Sequence, residues 1–431
     1  MTGKRVVVVG SGGREHAYQA VLARTADVVV TPGNPGIPGS VATSAEDLDA
    51  DLFVIGPEQP LVVGLADRLR RRGRLVFGPG ADGAELEGSK KWMKDVVAAA
   101  GVPTAAYAAF TADQLDEALA YLRATGGPYV IKTDGLAAGK GVLVTENLAE
   151  AEADVHDKLS GAAFGESGTT IIIEEALDGP EISFFALCDG TKAVPIATLA
   201  QDHKRVGDGN IGPNTGGMGC YSPVPGVEVQ LVEELMAVAI DPTVAELRRR
   251  GIDYRGVLFA GFMLTTDGPK LLEYNIRFGD PEAQVVLPRI EGDVVELLSS
   301  VAAGAVHEAP TVSSDAMVTV VLASEGYPIS PRTGDKIEGL AAAEALDGVQ
   351  VFCAGIGRVA DSFTTSGGRV LNVTARAADV ESARSLAYEA CSLISWPGMV
   401  MRTDIAAVTP ATPIPTSSRS ITAMSEQETL R

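Results

Sequence analysis

The chain has 431 residues, of which 46% are hydrophobic and 21% charged, and its formal net charge is −21. This length and composition are typical of a globular protein with about three domains. The acidic balance argues against binding to nucleic acid or to anionic membranes, because both require an excess of positive charge. No apolar run approaches the roughly 18 to 20 residues that cross a bilayer, and the four cysteines are far apart, so we expect a cytoplasmic protein with reduced thiols.

The first 86 residues alternate short apolar runs with glycine-rich turns, which predicts a parallel, doubly wound α/β domain. Its expected strands are 6–9, 28–30, 52–55 and 75–77. Ligands of such domains collect at the carboxyl ends of the strands, where these turns lie. Glu15 occupies the third glycine position of the dinucleotide fingerprint, so we exclude NAD. A small polar or phosphorylated ligand remains open, with plain tight turns as the alternative. The turn residues concerned are Gly12, Gly13, Arg14, Asn34 and Glu58.

A helix is predicted from about Ser89 to Ala100, because Ser89 can cap its amino end and Gly101 can end it. Its apolar stripe, which includes Trp92, is interpreted as core. Lys90 lies at the start of this helix, where the helix dipole does not favour a cation. We therefore interpret Lys90 as a phosphate contact.

Residues 129–144 form two strand-like runs around a small glycine-rich loop bracketed by Lys132 and Lys140. The backbone amides of such a loop can bind phosphate oxygens, and the two ammonium groups could contact a polyphosphate. The Walker pattern is absent, because Gly141 follows Lys140 where that pattern requires Ser or Thr. A solvated hairpin with incidental lysines is the alternative.

A buried strand follows, which ends at Glu174 and Glu175, and the chain returns after a turn at Glu181. Carboxylates and exposed backbone at such a crossing could bind an adenine amino group and ribose hydroxyls, although this pattern alone is weak.

A long polar segment then covers residues 201–223. A loop of this length inside a compact domain is usually functional or disordered. It contains three adjacent groups that can be cationic, which favour an anion in so acidic a protein. They are His203, Lys204 and Arg205.

The segment 271–282 reads Leu-Leu-Glu-Tyr-Asn-Ile-Arg-Phe-Gly-Asp-Pro-Glu. If 271–276 is a strand, Glu273 and Asn275 project to one face. The apolar residues that would pack behind them are Leu272, Tyr274 and Ile276. Two side-chain oxygens suit Mg²⁺, which takes one or two protein ligands and completes its shell with phosphates and water. The alternative is an amphipathic strand whose polar face meets water.

The apolar pattern of residues 303–405 predicts an α+β domain. Its expected strands are 317–323, 349–354 and 369–374, and an amphipathic helix is expected at 380–394. From about Ala406 the Pro, Ser and Thr content rises, so we expect a disordered tail over 406–431. Since no further domain follows, we expect a monofunctional protein.

Eight sequence blocks, in order over about residues 4–405, together resemble the phosphoribosylamine–glycine ligases, also called glycinamide ribonucleotide synthetases. The blocks are Gly-Gly-Arg-Glu-His, Gly-Pro-Glu, Glu-Gly-Ser-Lys, Lys-x-Asp-Gly-Leu-Ala-Ala-Gly-Lys-Gly-Val, Ile-Glu-Glu, Gln-Asp-His-Lys-Arg, Gly-Pro-Asn-Thr-Gly-Gly-Met-Gly and Arg-Phe-Gly-Asp-Pro-Glu. The resemblance implies an ATP-grasp fold of α/β and α+β domains. These would be an amino-terminal parallel α/β domain (1–86), a central ATP-grasp domain (87–302) with a lid subdomain (about 105–178), and a carboxyl-terminal α+β domain (303–405).

The implied activity is the ligation of glycine to 5-phosphoribosylamine with ATP, giving glycinamide ribonucleotide, ADP and phosphate in purine synthesis. A carboxylate does not react with an amine, so glycine would first become glycyl phosphate. Phosphoryl transfer needs mainly positioning and charge neutralisation, so no protein nucleophile is expected. The alternatives are a sibling ATP-grasp ligase with another substrate and an inactive nucleotide-binding regulator. We expect a monomer or weak dimer.

The resemblance also implies roles for individual residues. Mg²⁺ or Mn²⁺ would be bound by Glu273 and Asn275. ATP would be bound by Lys90, Lys132, Lys140, Glu174, Glu175, Leu177 and Glu181. Catalysis would depend on Arg277, Lys140 and Asp280. Glycine and phosphoribosylamine would contact Gly12, Gly13, Arg14, Asn34, Glu58, Asn214, Gly217, Met218 and Arg277. Residues 41–51 look shortened relative to the family, which would remove a helix of the first domain.

Overall fold

The computed structural model describes residues 3–136, 141–161, 170–226 and 229–407. It begins with a four-stranded parallel sheet in the order β2-β1-β3-β4. The elements of this domain are β1 (Arg5–Gly10), α1 (Gly13–Leu22), β2 (Asp27–Pro32), β3 (Leu52–Ile55), α2 (Glu58–Val62), α3 (Leu65–Arg71), β4 (Val76–Phe77) and α4 (Ala81–Gly88). Val7 and Val9 of β1 pack into one core, and Val6 and Val8 pack into another, so both faces of the sheet are covered. This confirms the predicted parallel α/β fold.

The connection between β2 and β3 contains a single 3-10 turn, Ala45–Asp47, and no α-helix, and all its residues are described. Part of it runs beside the edge of β2, where the Val41 amide donates to the Val30 carbonyl (2.9 Å). Val41, Leu48 and Ala50 pack against the core. The crossover therefore covers its face of the sheet without an α-helix.

A helix and an antiparallel four-stranded sheet follow. They comprise α5 (Lys90–Ala100), β5 (Tyr107–Thr111), α6 (Leu115–Thr125), β6 (Tyr129–Thr133), β7 (Val142–Thr145), α7 (Leu148–Leu159) and β8 (Thr170–Glu175), with sheet order β5-β8-β6-β7. As predicted, the Ser89 hydroxyl caps α5 by accepting the Trp92 amide (3.1 Å), and Gly101 ends it in a left-handed conformation (φ +70°). The sheet packs on α6 and α7 around its own core. This sheet lies within the residues predicted to form the lid, about 105–178. The movement of the lid stays a prediction.

The rest of the chain is built on one eight-stranded sheet in the order β15-β14-β9-β10-β13-β16-β20-β17. Its central part comprises β9 (Glu181–Asp189), β10 (Ala193–Asp202), β11 (Arg205–Gly207), β12 (Ile211–Asn214), β13 (Gly219–Ser222), α8 (Val229–Leu235), α9 (Asp241–Arg249), β14 (Arg255–Thr265), β15 (Gly268–Asn275), α10 (Ala283–Val286) and α11 (Val294–Ala302). The pair β11-β12 stands apart from this sheet.

The carboxyl-terminal part comprises β16 (Ala316–Ala323), α12 (Leu340–Glu344), β17 (Val349–Cys353), β18 (Ile356–Val359), β19 (Ser362–Thr365), β20 (Arg369–Ala377) and α13 (Val380–Leu393). Antiparallel pairing of β13 with β16 joins the two parts, so the sheet continues across the domain boundary proposed near residue 303. The α+β character predicted for this region is confirmed.

The chain end departs from the sequence-based expectation. Ile405 and Ala406 are buried in the carboxyl-terminal core, and the Ile405 amide donates to the Tyr388 hydroxyl of α13 (3.0 Å). The folded chain therefore includes the residue at which the tail was predicted to begin. Residues 408–431 of that tail lie outside the described part of the chain. Among the described residues, no helix combines the length and apolar character needed to span a membrane.

Candidate active site between the first domain and the central sheet

A cavity of about 310 Å³ opens between the first domain, β15 and the four-stranded antiparallel sheet. Seven residues predicted from the sequence line it. They are Arg14, Glu58, Lys90, Glu273, Asn275, Arg277 and Asp280. They come from three separate regions of the chain, so folding alone brings them together.

β15 presents its polar residues through a β-bulge. Glu273 pairs with Gly261 of β14 while Leu271 pairs with the next residue, Phe262, which leaves Leu272 without a partner. Leu271 therefore shares the buried face with Tyr274, and Leu272 is only partly buried. The prediction that Leu272 packs behind the strand is wrong, because a bulge shifts the alternation by one residue.

The side chains of Glu273 and Asn275 form no hydrogen bond or salt bridge with any described residue, although both residues line the cavity. Burial alone would raise the pKa of Glu273, but Lys132, Lys204 and Lys90 together lower it below its ordinary value. The carboxylate is therefore ionised. Two unused oxygen donors at the end of one strand fit a hard divalent cation that keeps most of its shell for phosphate and water.

Arg277, directly beyond the strand, is held by two carboxylates of the first domain. Its Nη2 lies 2.7 Å from Glu87 Oε1, and its Nε lies 3.2 Å from Glu58 Oε2. Glu87 also accepts the Ile276 amide (2.9 Å). Burial raises the pKa of Glu87 to about 7, against the opposing effect of Arg277. The arginine is thus fixed in direction before any ligand binds.

Asp280 connects all three domains. Its carboxylate accepts the Gln284 side-chain amide (2.9 Å) and lies 3.4 Å from Arg369 Nη1. It also receives a long bond from the Arg14 amide (3.4 Å) at the start of α1. Burial would raise the pKa of Asp280, but Arg369 and Arg14 outweigh it and lower that pKa. Asp280 is therefore an ionised, fully paired group.

The predicted phosphate lysines differ in their surroundings. Lys90 Nζ donates to the Gly135 carbonyl (3.0 Å) at the mouth of the glycine-rich loop, and burial lowers its pKa. Lys132 is buried and forms a salt bridge with Glu174 (2.8 Å). It also lies 3.5 Å from the carbonyl of the bulged residue Leu272, so the bulge contacts the lysine. Lys140 lies outside the described residues.

Glu174 is a buried carboxylate shared by two lysines. Besides Lys132, it contacts the fully buried Lys94 (3.2 Å), which also donates to Thr104 Oγ1 (2.7 Å). Lys94 was missed by the sequence analysis. The available signal was its position four residues after Lys90, which places both lysines on one face of α5.

An acidic cluster surrounds Lys204, which also lines the cavity. Lys204 Nζ lies 2.9 Å from both Glu181 Oε1 and Asp202 Oδ1. Glu282 lies close by and lines the cavity with Asp202. His203 does not contribute a cation, because burial and Arg402 lower its pKa to about 4 and its Nε2 accepts the Ala406 amide (3.2 Å). The predicted group of three cations therefore lacks His203, and the contact of Lys204 and Arg205 with an anion stays a prediction.

Several other predicted residues have structural partners. The Asn34 side chain donates to the Ser11 and Ala354 carbonyls (2.8 and 3.0 Å), which links the first domain to the chain after β17. Met218 is fully buried in the carboxyl-terminal core, and its amide and carbonyl are bonded to His203 and Val321. The prediction that Met218 binds substrate does not fit this placement.

The remaining predicted residues are not among those that line the cavity. Gly12 donates its amide to Glu15 Oε2 (2.6 Å), and Gly13 packs against the Gln284 side chain. Gly217 has a left-handed φ of +109°. Four others lie at the β8–β9 crossing or at the end of β12: Glu175, Leu177, Glu181 and Asn214. Their roles stay predictions.

A strand with two unused oxygen donors lines the same cavity as the four-stranded antiparallel sheet and the first domain, and this arrangement defines an ATP-grasp enzyme. Family models for phosphoribosylglycinamide synthetase match all three parts: the N domain over residues 4–87, the ATP-grasp (A) domain over 88–283 and the C domain over 317–408. The chain therefore belongs to the phosphoribosylglycinamide synthetase family.

Individual relatives agree with this assignment. Phosphoribosylamine–glycine ligase of Brucella melitensis is 45% identical over 418 residues, which cover 93% of this chain and 97% of that protein. The crystal structure of the same enzyme from Thermotoga maritima, 33% identical, aligns with a TM-score of 0.82 over 93% of this chain and 100% of that one. The biotin carboxylase domain of a Hydrogenobacter thermophilus carboxylase, crystallised with MgADP, shares only the fold (TM-score 0.69, 16% identity, 93% of this chain and 92% of that one).

Proposed function

We propose that the protein joins glycine to 5-phosphoribosylamine with ATP and releases glycinamide ribonucleotide, ADP and phosphate, as its family does in purine synthesis. One observation carries the site assignment: Glu273 and Asn275 offer unused oxygens to the cavity that Lys90 and Arg277 also line. This combination suits a polyphosphate with its cation, because phosphoryl transfer depends on charge neutralisation and alignment.

The reaction proceeds in two displacements. A glycine carboxylate oxygen bonds to the γ-phosphorus while the bond from that phosphorus to the β–γ bridging oxygen breaks, giving ADP and glycyl phosphate. The amine of phosphoribosylamine then bonds to the glycyl carbonyl carbon. Phosphate leaves with the electrons of the broken carbon–oxygen bond, and the nitrogen loses a proton. Neither step needs a nucleophile from the protein.

Mg²⁺, with Mn²⁺ as a substitute, would be held by Glu273 and Asn275. When bound, the cation supplies charge neutralisation and alignment for the phosphates. Lys90, Lys132 and Lys140 contact those phosphates in the proposal, and Arg277 neutralises charge on the group being transferred. The direction of Arg277 is set by Glu87 and Glu58, which reduces the reorganisation needed during the reaction.

The adenosine part of ATP is assigned to the β8–β9 crossing, through Glu174, Glu175, Leu177 and Glu181. Of these, Glu174 supports the site indirectly, because its carboxylate is already bound by Lys94 and Lys132. The amino-terminal turn with Arg14 and Glu58, together with Asp280, is assigned to phosphoribosylamine. The antiparallel sheet of β5 to β8 would close over ATP as a lid.

The test measures ADP release by the purified chain with ATP, Mg²⁺, glycine and freshly generated phosphoribosylamine, with each component omitted in turn. The proposal predicts stoichiometric ADP and a product with the mass of glycinamide ribonucleotide, both dependent on every component. ADP release with another acid but not with glycine would indicate a sibling ligase. No ADP with any acid, despite ATP binding, would indicate a regulator.

Two further properties are proposed from the composition. The acidic surface and reduced cysteines suit the cytoplasm, which cell fractionation would test. A monomer or weak dimer is expected, which sedimentation across a range of protein concentrations would test.

A further inference from the structure

Two of the described carboxylates that line the cavity form no salt bridge, Glu273, which is assigned to the cation, and Glu282. Glu58 and Glu87 are paired with Arg277, Asp202 with Lys204, and Asp280 with Arg369. Glu282 forms no salt bridge with a described residue. It is 5% exposed, and its side chain receives one long hydrogen bond, from Ser183 Oγ (3.4 Å).

The position of Glu282 is fixed by its surroundings. Its carboxylate lies directly over Gly279, where an added Cβ would collide with it. Its backbone carbonyl accepts the amides of Val285 and Val286 (3.1 and 2.9 Å), which anchors the residue at the start of α10. A buried carboxylate held rigidly without a cation is costly unless a ligand supplies the missing charge.

The local charge favours a cation at this position. Lys204 is already paired with Asp202 and Glu181, and these three groups together with Glu282 leave an excess of negative charge. Glu273 and Asn275 already provide the proposed metal site, so we consider an organic cation for Glu282.

We propose that Glu282 binds the ammonium group of the amino-acid substrate, so that the end of the Arg277–Glu282 loop recognises glycine as a zwitterion. The inference rests on the proposed function and adds a recognition residue to it. An α-ammonium group is charged at neutral pH and forms charge-assisted hydrogen bonds with a carboxylate. Arg277, at the other end of this loop, is already assigned to the group being transferred.

Binding the ammonium group also protects the reaction. Once the glycine carboxylate is activated, any free amine in the cavity can attack it, including the amino group of glycine itself. A paired ammonium has no lone pair for such an attack, so the ribosylamine remains the nucleophile. Burial and the nearby Asp202 raise the pKa of Glu282 to about 7 against the opposing effects of Lys204 and Arg277, so these two cations do not balance the cost of its charge.

Glu282→Gln keeps the shape of the side chain and removes its charge. The test compares kcat/KM for glycine and for glycolate, which replaces the ammonium with a hydroxyl, by ADP release with phosphoribosylamine. The wild type is expected to prefer glycine by at least about 10²-fold, since a site built for one polar group rejects an analogue that lacks it. The variant is expected to lose most of this preference through a higher KM for glycine, with KM for ATP within about twofold of the wild type.

Glu291→Gln is the matched control, because Glu291 is exposed and lies nine residues further along the chain. It is expected to keep the wild-type preference for glycine. The inference is overturned if Glu282→Gln retains that preference, or if it lowers kcat while KM for glycine is unchanged, as a general base would. If Glu282→Gln does not fold, the wild type alone tests the inference, because equal use of glycolate and glycine would overturn it.

The inference and the proposed function fail in different ways. A wild-type protein that releases no ADP with glycine contradicts the proposed function. A wild-type protein that is active, combined with unchanged discrimination in Glu282→Gln, contradicts the inference alone.

Discussion

Arg277 Nη2 lies 2.7 Å from Glu87 Oε1, so the arginine that follows the donor-bearing strand is oriented by a carboxylate at the end of α4. The same carboxylate accepts the Ile276 amide (2.9 Å), which ties the backbone just beyond Asn275 to the first domain. Lys90 follows Glu87 by three residues. The junction between α4 and α5 therefore sets the positions of two of the proposed phosphate contacts.

Glu87→Gln is expected to keep the hydrogen bond to Ile276 and weaken the hold on Arg277. Because small displacements of a positioning group can slow a reaction strongly, kcat should fall by up to about 10²-fold with KM for glycine little changed. Steady-state ADP release measures this effect. Glu85→Gln, on the same helix, is the control. A wild-type kcat for Glu87→Gln would show that Arg277 needs no carboxylate partner from α4.

Lys94→Met tests the buried cluster around Glu174. The variant leaves Glu174 with Lys132 as its one salt-bridge partner among the described residues, so we expect the free energy of unfolding to fall by about 1–3 kcal/mol. Lys91→Met is the matched control, because Lys91 forms an exposed pair with Asp95 that is worth about 0.5 kcal/mol or less. Urea denaturation compares the two. If the two variants lost equal free energy of unfolding, Lys94 would not stabilise the cluster around Glu174.

Gly13→Ala tests the contact between the first domain and the rest of the chain. A Cβ there would collide with the Asn372 side-chain amide and approach Gln284 Nε2 to 2.6 Å. Both partners are fully buried and cannot move away freely, so a loss of about 1–3 kcal/mol in unfolding free energy is expected.

Gly3→Ala is the control for this substitution, since the nearest atom to its added Cβ, the Thr25 carbonyl oxygen, is 4.0 Å away. It should change stability by less than about 0.5 kcal/mol. A Gly13→Ala protein as stable as Gly3→Ala would contradict the packing at this domain contact.

His16 makes stability depend on pH. It is buried, its Nδ1 accepts the Cys353 amide (2.8 Å), and burial lowers its pKa from 6.5 to about 4. The unfolded chain therefore binds a proton before the folded chain does, so the contribution is complete above pH 6.5 and is lost as pH falls towards 4. We expect this loss to reach about 3 kcal/mol.

The measurement is the unfolding free energy of the wild type and of His16→Asn at about pH 7.5 and about pH 4.5. Most of the loss of stability caused by His16 is expected between these two pH values. The wild type should lose more stability over this range than His16→Asn. His307→Asn, which changes an exposed histidine, should retain the wild-type difference. Parallel losses in the wild type and His16→Asn would show that His16 does not carry the effect.

The fold was largely predictable because its signals are local. Apolar runs and glycine turns gave the four parallel strands, and the cap at Ser89 with Gly101 gave both ends of α5. The site residues Glu273, Asn275 and Arg277 were found because their motif lies on one short segment.

What could not be predicted depends on contacts between distant segments. The bulge at Leu272 is set by pairing with β14, and the burial of Met218 follows from the pairing of β13 with β16. Arg369 of the carboxyl-terminal domain forms a salt bridge with Asp280, and Lys94 of α5 forms one with Glu174 of β8. No local sequence pattern predicts contacts between such distant residues.

The central claim is that the unused oxygens of β15 bind the cation that ATP requires, and Glu273→Ala tests it most directly. ADP release should be measured over a wide range of Mg²⁺ concentrations, with Asp267→Ala, an exposed acid in the turn before the strand, as the control. The account predicts that kcat of Glu273→Ala stays about 10²- to 10³-fold below the wild type even at saturating Mg²⁺, while Asp267→Ala matches the wild type. Near-wild-type turnover by Glu273→Ala at saturating Mg²⁺ would contradict it.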